Sequence, residues 1–331
     1  MKRLQVHTRY WRQQIRARFA QWDGVFGLDP EERFFEGFES IPDFDFSSLE
    51  SPPGSWWLSE LCRTAYTPDG KELPRDRKNA LPHRENFLEE RTPFEEILSV
   101  HKTGNHASIY RRRDGKGGTI LCFRGTNRTR QWIMNLVIRP HGWQRFRREG
   151  DPEGAFLHSG FYVFFKRIWP LLYPTLETLP RPWIFTGHSL GGALATIAGV
   201  VAKPDFICTF GAPKVGNEPF HDLLDGIECR RWVNGPDIVP RLPLPDRKLQ
   251  ERILTHGSEA LLLTPDGQLS RYSDPSEENN LPFALKTLAN EFQSPPDWLR
   301  NHRIGEYCDK LRSLADTAPG SIKGPPPGPQ A

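Results

Sequence analysis

The segment Gly187-His188-Ser189-Leu190-Gly191 places a serine between two glycines in the spacing GxSxG. The apolar run before it, Trp183 to Phe185, reads as a short strand, and the small and apolar residues from Gly191 to Ala202 read as a helix. A serine on such a strand-to-helix turn is held in a strained backbone conformation that presents its hydroxyl at the edge of a sheet. Side chains at positions 187 and 191 would collide with neighbouring backbone, so the glycines are mechanical requirements of the turn. The chemistry on offer is nucleophilic attack on a carbonyl carbon. Simple tight packing of a strand against a helix is the other use of the same residues.

A serine hydroxyl is a weak nucleophile at neutral pH and needs a histidine base oriented by an acid. For this kind of turn the chain order is serine, acid, histidine, so both partners lie downstream. Asp237 follows the short strand candidate Arg231 to Val233 in the turn Asn234-Gly235-Pro236-Asp237, where a loop at the sheet's carboxyl edge can aim a carboxylate. Asp205 and Asp222 read as ordinary turn aspartates. Of the downstream histidines, His221 precedes the acid, and His256 trails Ile253-Leu254-Thr255 as a structural residue at the sheet edge. His302 stands just before a helix-like segment, on what reads as a mobile loop above the sheet, and is the expected base.

The elements that must position these groups are legible around them. Ala107 to Arg112 and Thr119 to Phe123 read as a hairpin about the turn Asp114 to Gly118. Trp56 to Tyr66 and Phe161 to Leu172 read as helices. Trp183 to Phe185, Gly191 to Ala202 and Phe206 to Phe210 make a βαβ unit, which implies an α/β protein with parallel strands. Arg252 to Thr255 and Glu259 to Leu263 are further strand candidates, and Leu281 to Phe292 reads as a helix. Near the start, Trp11, Ile15, Phe19 and Trp22 recur at helical spacing among Arg9, Arg12, Arg16 and Arg18, which predicts a basic amphipathic helix over Tyr10 to Trp22. The expected organisation is an extension over residues 1–50, a linker at Ser51-Pro52-Pro53-Gly54, a main domain over 51–317, and a disordered Pro/Gly-rich tail over 318–331.

A net charge of +3 over 331 residues gives no electrostatic footprint for nucleic acid. The five cysteines are odd in number and lack metal-ligand spacing, so zinc is not expected. Cys122 and Cys208, inside apolar runs, read as buried thiols. The chain starts without the apolar core of a secretory signal and has no run long enough to span a membrane, which sets cytoplasmic as the expected location.

Taken together, Phe123-Arg124-Gly125-Thr126, Trp132, His158-Ser159-Gly160-Phe161, Gly187 to Ala195, Phe210 to Asn217 and Asp237 to Pro243 resemble the class 3 lipase family of α/β-hydrolases, over Leu61 to Leu311. The resemblance implies an α/β-hydrolase fold with a mostly parallel central sheet flanked by helices. It implies that Ser189 is the nucleophile, Asp237 the orienting acid and His302 the base, with Thr126 at the family's oxyanion-hole position. Backbone N–H groups of Thr126 and Leu190 would then meet the developing oxyanion. Thr129 to Leu136 occupies the place of the family's lid, where Trp132, Ile133, Met134 and Leu136 face acyl chains or the core; Val137 to Phe156 departs from the pattern. His158 is assigned a structural role.

The implied activity is hydrolysis of acylglycerol-type lipid esters through an acyl-enzyme, with no metal or organic cofactor. Phospholipase A1 and soluble short-chain esterase activities are the alternatives within this chemistry, and a non-catalytic interaction protein is the alternative outside it. The expected partner is the lipid or ester substrate, with no nucleic acid. The basic N-terminal helix either packs on the body or meets a membrane or lipid-droplet surface. Acyl length, head group and oligomeric state stay open.

Overall fold

The computed structural model describes residues 33–67, 84–102, 104–125, 143–145, 154–235, 237–243, 254–264, 269–272 and 300–316. The helices expected at Tyr10 to Trp22 and Leu281 to Phe292, and the tail over 318–331, lie outside the described residues. Helix α1 (Pro52–Thr64) and α2 (Arg84–Arg91) precede a run of strands: β1 (Phe94–Lys102), β2 (Asn105–Arg112), β3 (Thr119–Phe123), β4 (Trp143–Arg145) and β5 (Phe156–His158). Then come α3 (Ser159–Leu176), β6 (Trp183–His188), α4 (Leu190–Ala202), β7 (Phe206–Phe210), β8 (Glu228–Asn234), β9 (Ala260–Leu263), β10 (Leu269–Tyr272) and α5 (Ile304–Asp316).

Among the described residues, eight strands form one sheet in the order β1-β2-β3-β6-β7-β8-β9-β10. From β3 to β9 neighbouring strands are parallel, and antiparallel pairs close both ends. The predicted hairpin and βαβ unit are therefore the middle of the sheet. Strand β1 escapes the sequence reading because it is an edge: its run Phe94-Glu95-Glu96-Ile97-Leu98 mixes charge with apolar residues, as a strand with one neighbour and one open side allows.

Successive residues of a strand face opposite sides, and both sides are covered. Leu121, Phe123, Phe185 and Ile207 turn to one apolar cluster, filled by Phe161, Phe165, Ile168 and Leu172 of α3 and by the small residues of α4. Ile120, Cys122, Ile184, Phe206, Cys208 and Phe210 turn to the other, filled by Trp56, Trp57, Leu58 and Leu61 of α1 and Tyr307, Cys308 and Leu311 of α5. Cys122 and Cys208 are buried thiols, as their surroundings in the sequence suggested.

Two expectations near the N-terminal side need correction. Ser51-Pro52-Pro53-Gly54 is not a linker but the start of α1. The Ser51 hydroxyl accepts from the Gly54 N–H at 3.2 Å, and prolines suit a first turn because their fixed φ is helical and their missing N–H has no partner there. Nor does the boundary at residue 50 separate a loose arm from the body, because Phe34, Phe35, Ile41, Phe44 and Leu49 are buried in the same cluster as α1. A third expectation is reduced: Thr255 makes an isolated bridge to Gly216, and residues 251–253 lie outside the described residues.

The attachment of residues 33–35 is polar as well as apolar. Buried Glu60 accepts the Phe35 N–H at 3.0 Å and pairs with Arg63 at 2.8 Å, while Arg63 also donates to the Arg33 carbonyl at 2.7 Å. Burial pushes the Glu60 carboxyl up, and the Arg63 charge pulls it back. Removing one member of a buried pair strands the other, so Arg63→Ala is expected to lower unfolding stability by about 3 kcal/mol. Urea titration against the wild type measures this, and an unchanged midpoint would refute it.

Candidate active site

Strand β6 ends at His188 and α4 begins at Leu190, leaving Ser189 alone in the turn with φ 59° and ψ −125°. A non-glycine residue in this region stores about 1–3 kcal/mol of backbone strain, which the surroundings must hold. They do so by close approach. The Ser189 N–H donates to the Phe210 carbonyl at the end of β7 at 2.9 Å. A Cβ on Gly187 would lie 2.3 Å from the Gly191 carbonyl carbon, and one on Gly191 would lie 2.0 Å from the Phe123 carbonyl oxygen. Both glycines are thus required by backbone contact.

The His302 ring stands over this turn. Its Nε2 is 2.8 Å from Ser189 Oγ, and its Nδ1 is 2.8 Å from Asp237 Oδ2. A carboxylate oxygen can only accept, so Nδ1 carries the proton and Nε2 is free to accept the serine O–H. Asp237 follows β8, with its N–H on the Asn234 carbonyl at 2.8 Å and its Oδ1 accepting the Val239 N–H at 2.9 Å. Serine, histidine and aspartate are all completely buried. His302 is therefore not on a loose loop: it ends a turn, closed by the Arg303 N–H on the Arg300 carbonyl, that leads directly into α5. The arrangement can deprotonate a hydroxyl and stabilise the resulting imidazolium.

Helix α5 also brings a residue that the sequence reading missed. The Tyr307 hydroxyl donates to Asp237 Oδ2 at 2.6 Å and accepts the Asn234 N–H at 3.1 Å. Burial and then the Asp237 charge hold its phenol well above the ordinary range, so it stays a donor. Asn234 in turn receives Lys310 Nζ at 2.6 Å and donates to the Asn301 carbonyl at 2.9 Å. Gly211, at φ 58°, leaves room for this knot: a Cβ there would lie 2.8 Å from Asp237 Oδ2 and 2.9 Å from Tyr307 Oη. The available signal was a tyrosine in the helix that follows the histidine.

The rejected candidates have structural partners. His256 meets the Pro240 carbonyl at 2.6 Å and His221 the Thr255 carbonyl at 3.0 Å. Asp205 accepts the Trp183 N–H at 2.7 Å and pairs with Arg181, and Asp222 opens a 3-10 turn. His158 lies against Phe161 with ring centroids 4.2 Å apart, and its N–H donates to the Val215 carbonyl. Leu190 is the first residue of α4, where backbone N–H groups have no carbonyl within the helix. Thr126, Trp132, Ile133, Met134 and Leu136 lie outside the described residues. Gly125, the residue before Thr126, sits beside the elbow: a Cβ on it would lie 2.9 Å from the His188 carbonyl oxygen.

With strand order, elbow and histidine geometry in hand, comparison with known proteins places the chain. Residues 120–247 match the family described as lipase (class 3). This stretch, from β3 through the segment after Asp237, is similar to the class 3 lipase family. A lipase of Rhizopus niveus is 31% identical over 208 residues, 58% of this chain and 45% of that protein. A chloroplastic phospholipase A(1) of Arabidopsis thaliana is 30% identical over 155 residues, 40% of this chain and 35% of that protein. The chain spans less than half the length of these curated relatives. The solved structure of the Rhizomucor miehei triacylglyceride lipase aligns with a TM-score of 0.52 at 19% identity, over 73% of this chain and 93% of that one. Class 3 lipases and this chain thus share the α/β-hydrolase fold that the motifs implied.

Two expectations follow for this site. Tyr307→Phe keeps the ring but removes a donor to the carboxylate, and is expected to lower kcat about tenfold while costing about 1–2 kcal/mol of stability. Ester turnover and a thermal melt of the same preparation test it, and unchanged turnover would show that Tyr307 only packs. Acid also has a signed effect. Burial depresses His221 to about 4, and holds His188 and His256 well below their ordinary values, so all three are neutral in the fold. The unfolded chain takes up these protons near pH 6.5, so their contribution is complete above that value and is lost as pH falls toward 4. Melting temperature measured from pH 7 to 4.5 is expected to fall progressively, and less steeply in His221→Gln.

Proposed function

We propose that this protein is a serine ester hydrolase that cleaves acylglycerol-type lipid esters through an acyl-enzyme. The observation that carries the reading is the continuous hydrogen-bonded line from Ser189 Oγ through His302 to Asp237, with both separations at 2.8 Å. As Oγ attacks the ester carbonyl, His302 Nε2 takes its proton. Asp237 holds the ring in the required tautomer and stabilises the imidazolium. The negative charge forming on the carbonyl oxygen meets the Leu190 N–H at the start of α4 and, by resemblance, the Thr126 N–H. Each such donor is worth about 3 kcal/mol in the transition state. His302 then protonates the departing alcohol, and water deprotonated by the same nitrogen releases the fatty acid and frees Ser189.

Lipid substrates are favoured over soluble esters by kinship with lipases and by the complete burial of Ser189. In this reading Trp132, Ile133, Met134 and Leu136 supply the apolar surface that receives acyl chains. A second reading, hydrolysis of the acyl ester of a phospholipid, is favoured by the similarity to a phospholipase A(1). Among the described residues no helix is long and apolar enough to cross a membrane. The basic segment Tyr10 to Trp22 either packs on the body or meets the lipid surface in this reading.

Turnover on p-nitrophenyl esters, triglyceride emulsions and phospholipid vesicles separates the substrate readings. Ser189→Ala is expected to keep the fold and lose about four orders of magnitude or more in kcat, with His302→Ala nearly as impaired and His256→Ala affected mainly in its melting temperature. A fluorophosphonate probe is expected to label the wild type at Ser189. An active Ser189→Ala protein, labelled at another serine, would overturn the reading.

A further inference from the structure

The histidine beside the nucleophile is not a spectator of the turn. His188 Nδ1 is 2.7 Å from the hydroxyl of Tyr66, which follows α1, and its Nε2 is 2.7 Å from the main-chain carbonyl of His302. These contacts join residues 122 and 114 positions apart in the chain. A carbonyl can only accept, so Nε2 carries the proton. A neutral ring then leaves Nδ1 bare, and Tyr66 must donate to it. Gly125 is packed against the same hydroxyl, where a Cβ would lie 2.0 Å from Tyr66 Oη. The direction of the line is thus determined, from Tyr66 to His188 to His302.

We propose that Tyr66 and His188 are positioning residues: a neutral hydrogen-bond relay that ties the base's backbone to the elbow and to the residues that end α1, and so sets the His302 ring at its distance from Ser189. The inference rests on the reading of Ser189, His302 and Asp237 as the reacting set. Asp237 and Ser189 hold the two ring nitrogens of His302, but both bonds lie in the ring and leave its backbone to be fixed from elsewhere. The turn before α5 fixes part of it, and His188 adds the direct bond to the His302 carbonyl. The two imidazoles lie 4.7 Å apart between centroids at 35°. Burial, and then the nearness of His302, keep His188 far below its ordinary proton affinity. When His302 takes the serine proton, the ring beside it is therefore uncharged and does not oppose the new cation.

Small displacements matter at this point, since a misplacement of about 1 Å costs about 10²-fold in rate. Tyr66→Phe, nearly isosteric, is expected to lower kcat about tenfold on a soluble short-chain ester with KM unchanged within about twofold, and to slow fluorophosphonate labelling of Ser189 in parallel. His188→Leu is expected to lose about 10²-fold, and His188→Gln, whose amide nitrogen can donate to the His302 carbonyl, to regain most of that loss. The double variant Tyr66→Phe/His188→Leu is expected to be no worse than His188→Leu alone, because one line is broken only once. Folding of each variant is checked by thermal melt. Wild-type kcat and labelling rate in folded Tyr66→Phe, or a His188→Gln protein as impaired as His188→Leu, would overturn the relay. Ser189→Ala, run alongside, separates the two failures: activity in that variant removes the functional reading itself, whereas its inactivity beside a fully active Tyr66→Phe removes the relay alone.

Discussion

Everything at the site depends on one backbone contact, the crossing of α4 over the ends of β3 and β6. Ser189 adopts a left-handed φ between a strand and a helix, and that conformation survives because Gly191 rests on the Phe123 carbonyl and Gly187 on Gly191 itself. A methyl group at either glycine would occupy space already taken by main chain. The strain is offset by pairing that the turn does not disturb: β6 keeps parallel partners on both sides, and the Ser189 N–H closes onto Phe210 at the end of β7. A sheet buried on both faces is stiff enough to hold a strained residue at its edge.

The two faces divide the work. The cluster beneath α3 and α4 supports the Ser189 turn and the segment after Asp237, and the cluster beneath α1 and α5 supports His302 and the end of β8. Helix α5 follows His302 directly, so packing of Tyr307, Cys308 and Leu311 against α1 fixes the height of the histidine above the sheet. The same helix returns a hydroxyl to Asp237. Residues 33–49 complete this second cluster, which is why they belong to the body.

Burial and polarity are reconciled by saturation. A buried polar group without a partner costs more than a typical hydrogen bond returns, so a closed polar site must be fully connected. Asp237 accepts from His302, Tyr307 and Val239, while Asn234 beside it is held by Lys310 and Asn301. Such a network holds its members in one geometry, and it shares glycine clearance at Gly211 with the acid-base contact.

Much of this was legible in the residues themselves. The strand, GxSxG turn and helix around Ser189 follow from apolar periodicity and from where glycine is tolerated, which are local properties. The placement of Asp237 and the rank of His302 over His256 followed from chain order and from the elements flanking them. What local pattern could not supply was contact between distant segments. The mixed charge of β1 hid an edge strand. The prolines after Ser51 looked like a linker because a helix start and a turn use the same residues. The aromatic residues Phe34, Phe35 and Phe44 carry no period that says what they cover. Tyr66, His188 and Tyr307 are unremarkable in sequence because their roles exist only where α1, β6 and α5 converge. Amino-acid pattern thus determined the Ser189 turn and the parallel sheet that carries it, through steric limits acting over a few residues. Tertiary structure decided how Asp237 and His302 are held, because hydrogen bonds spanning 65 to 122 residues form only once both faces of the sheet are packed.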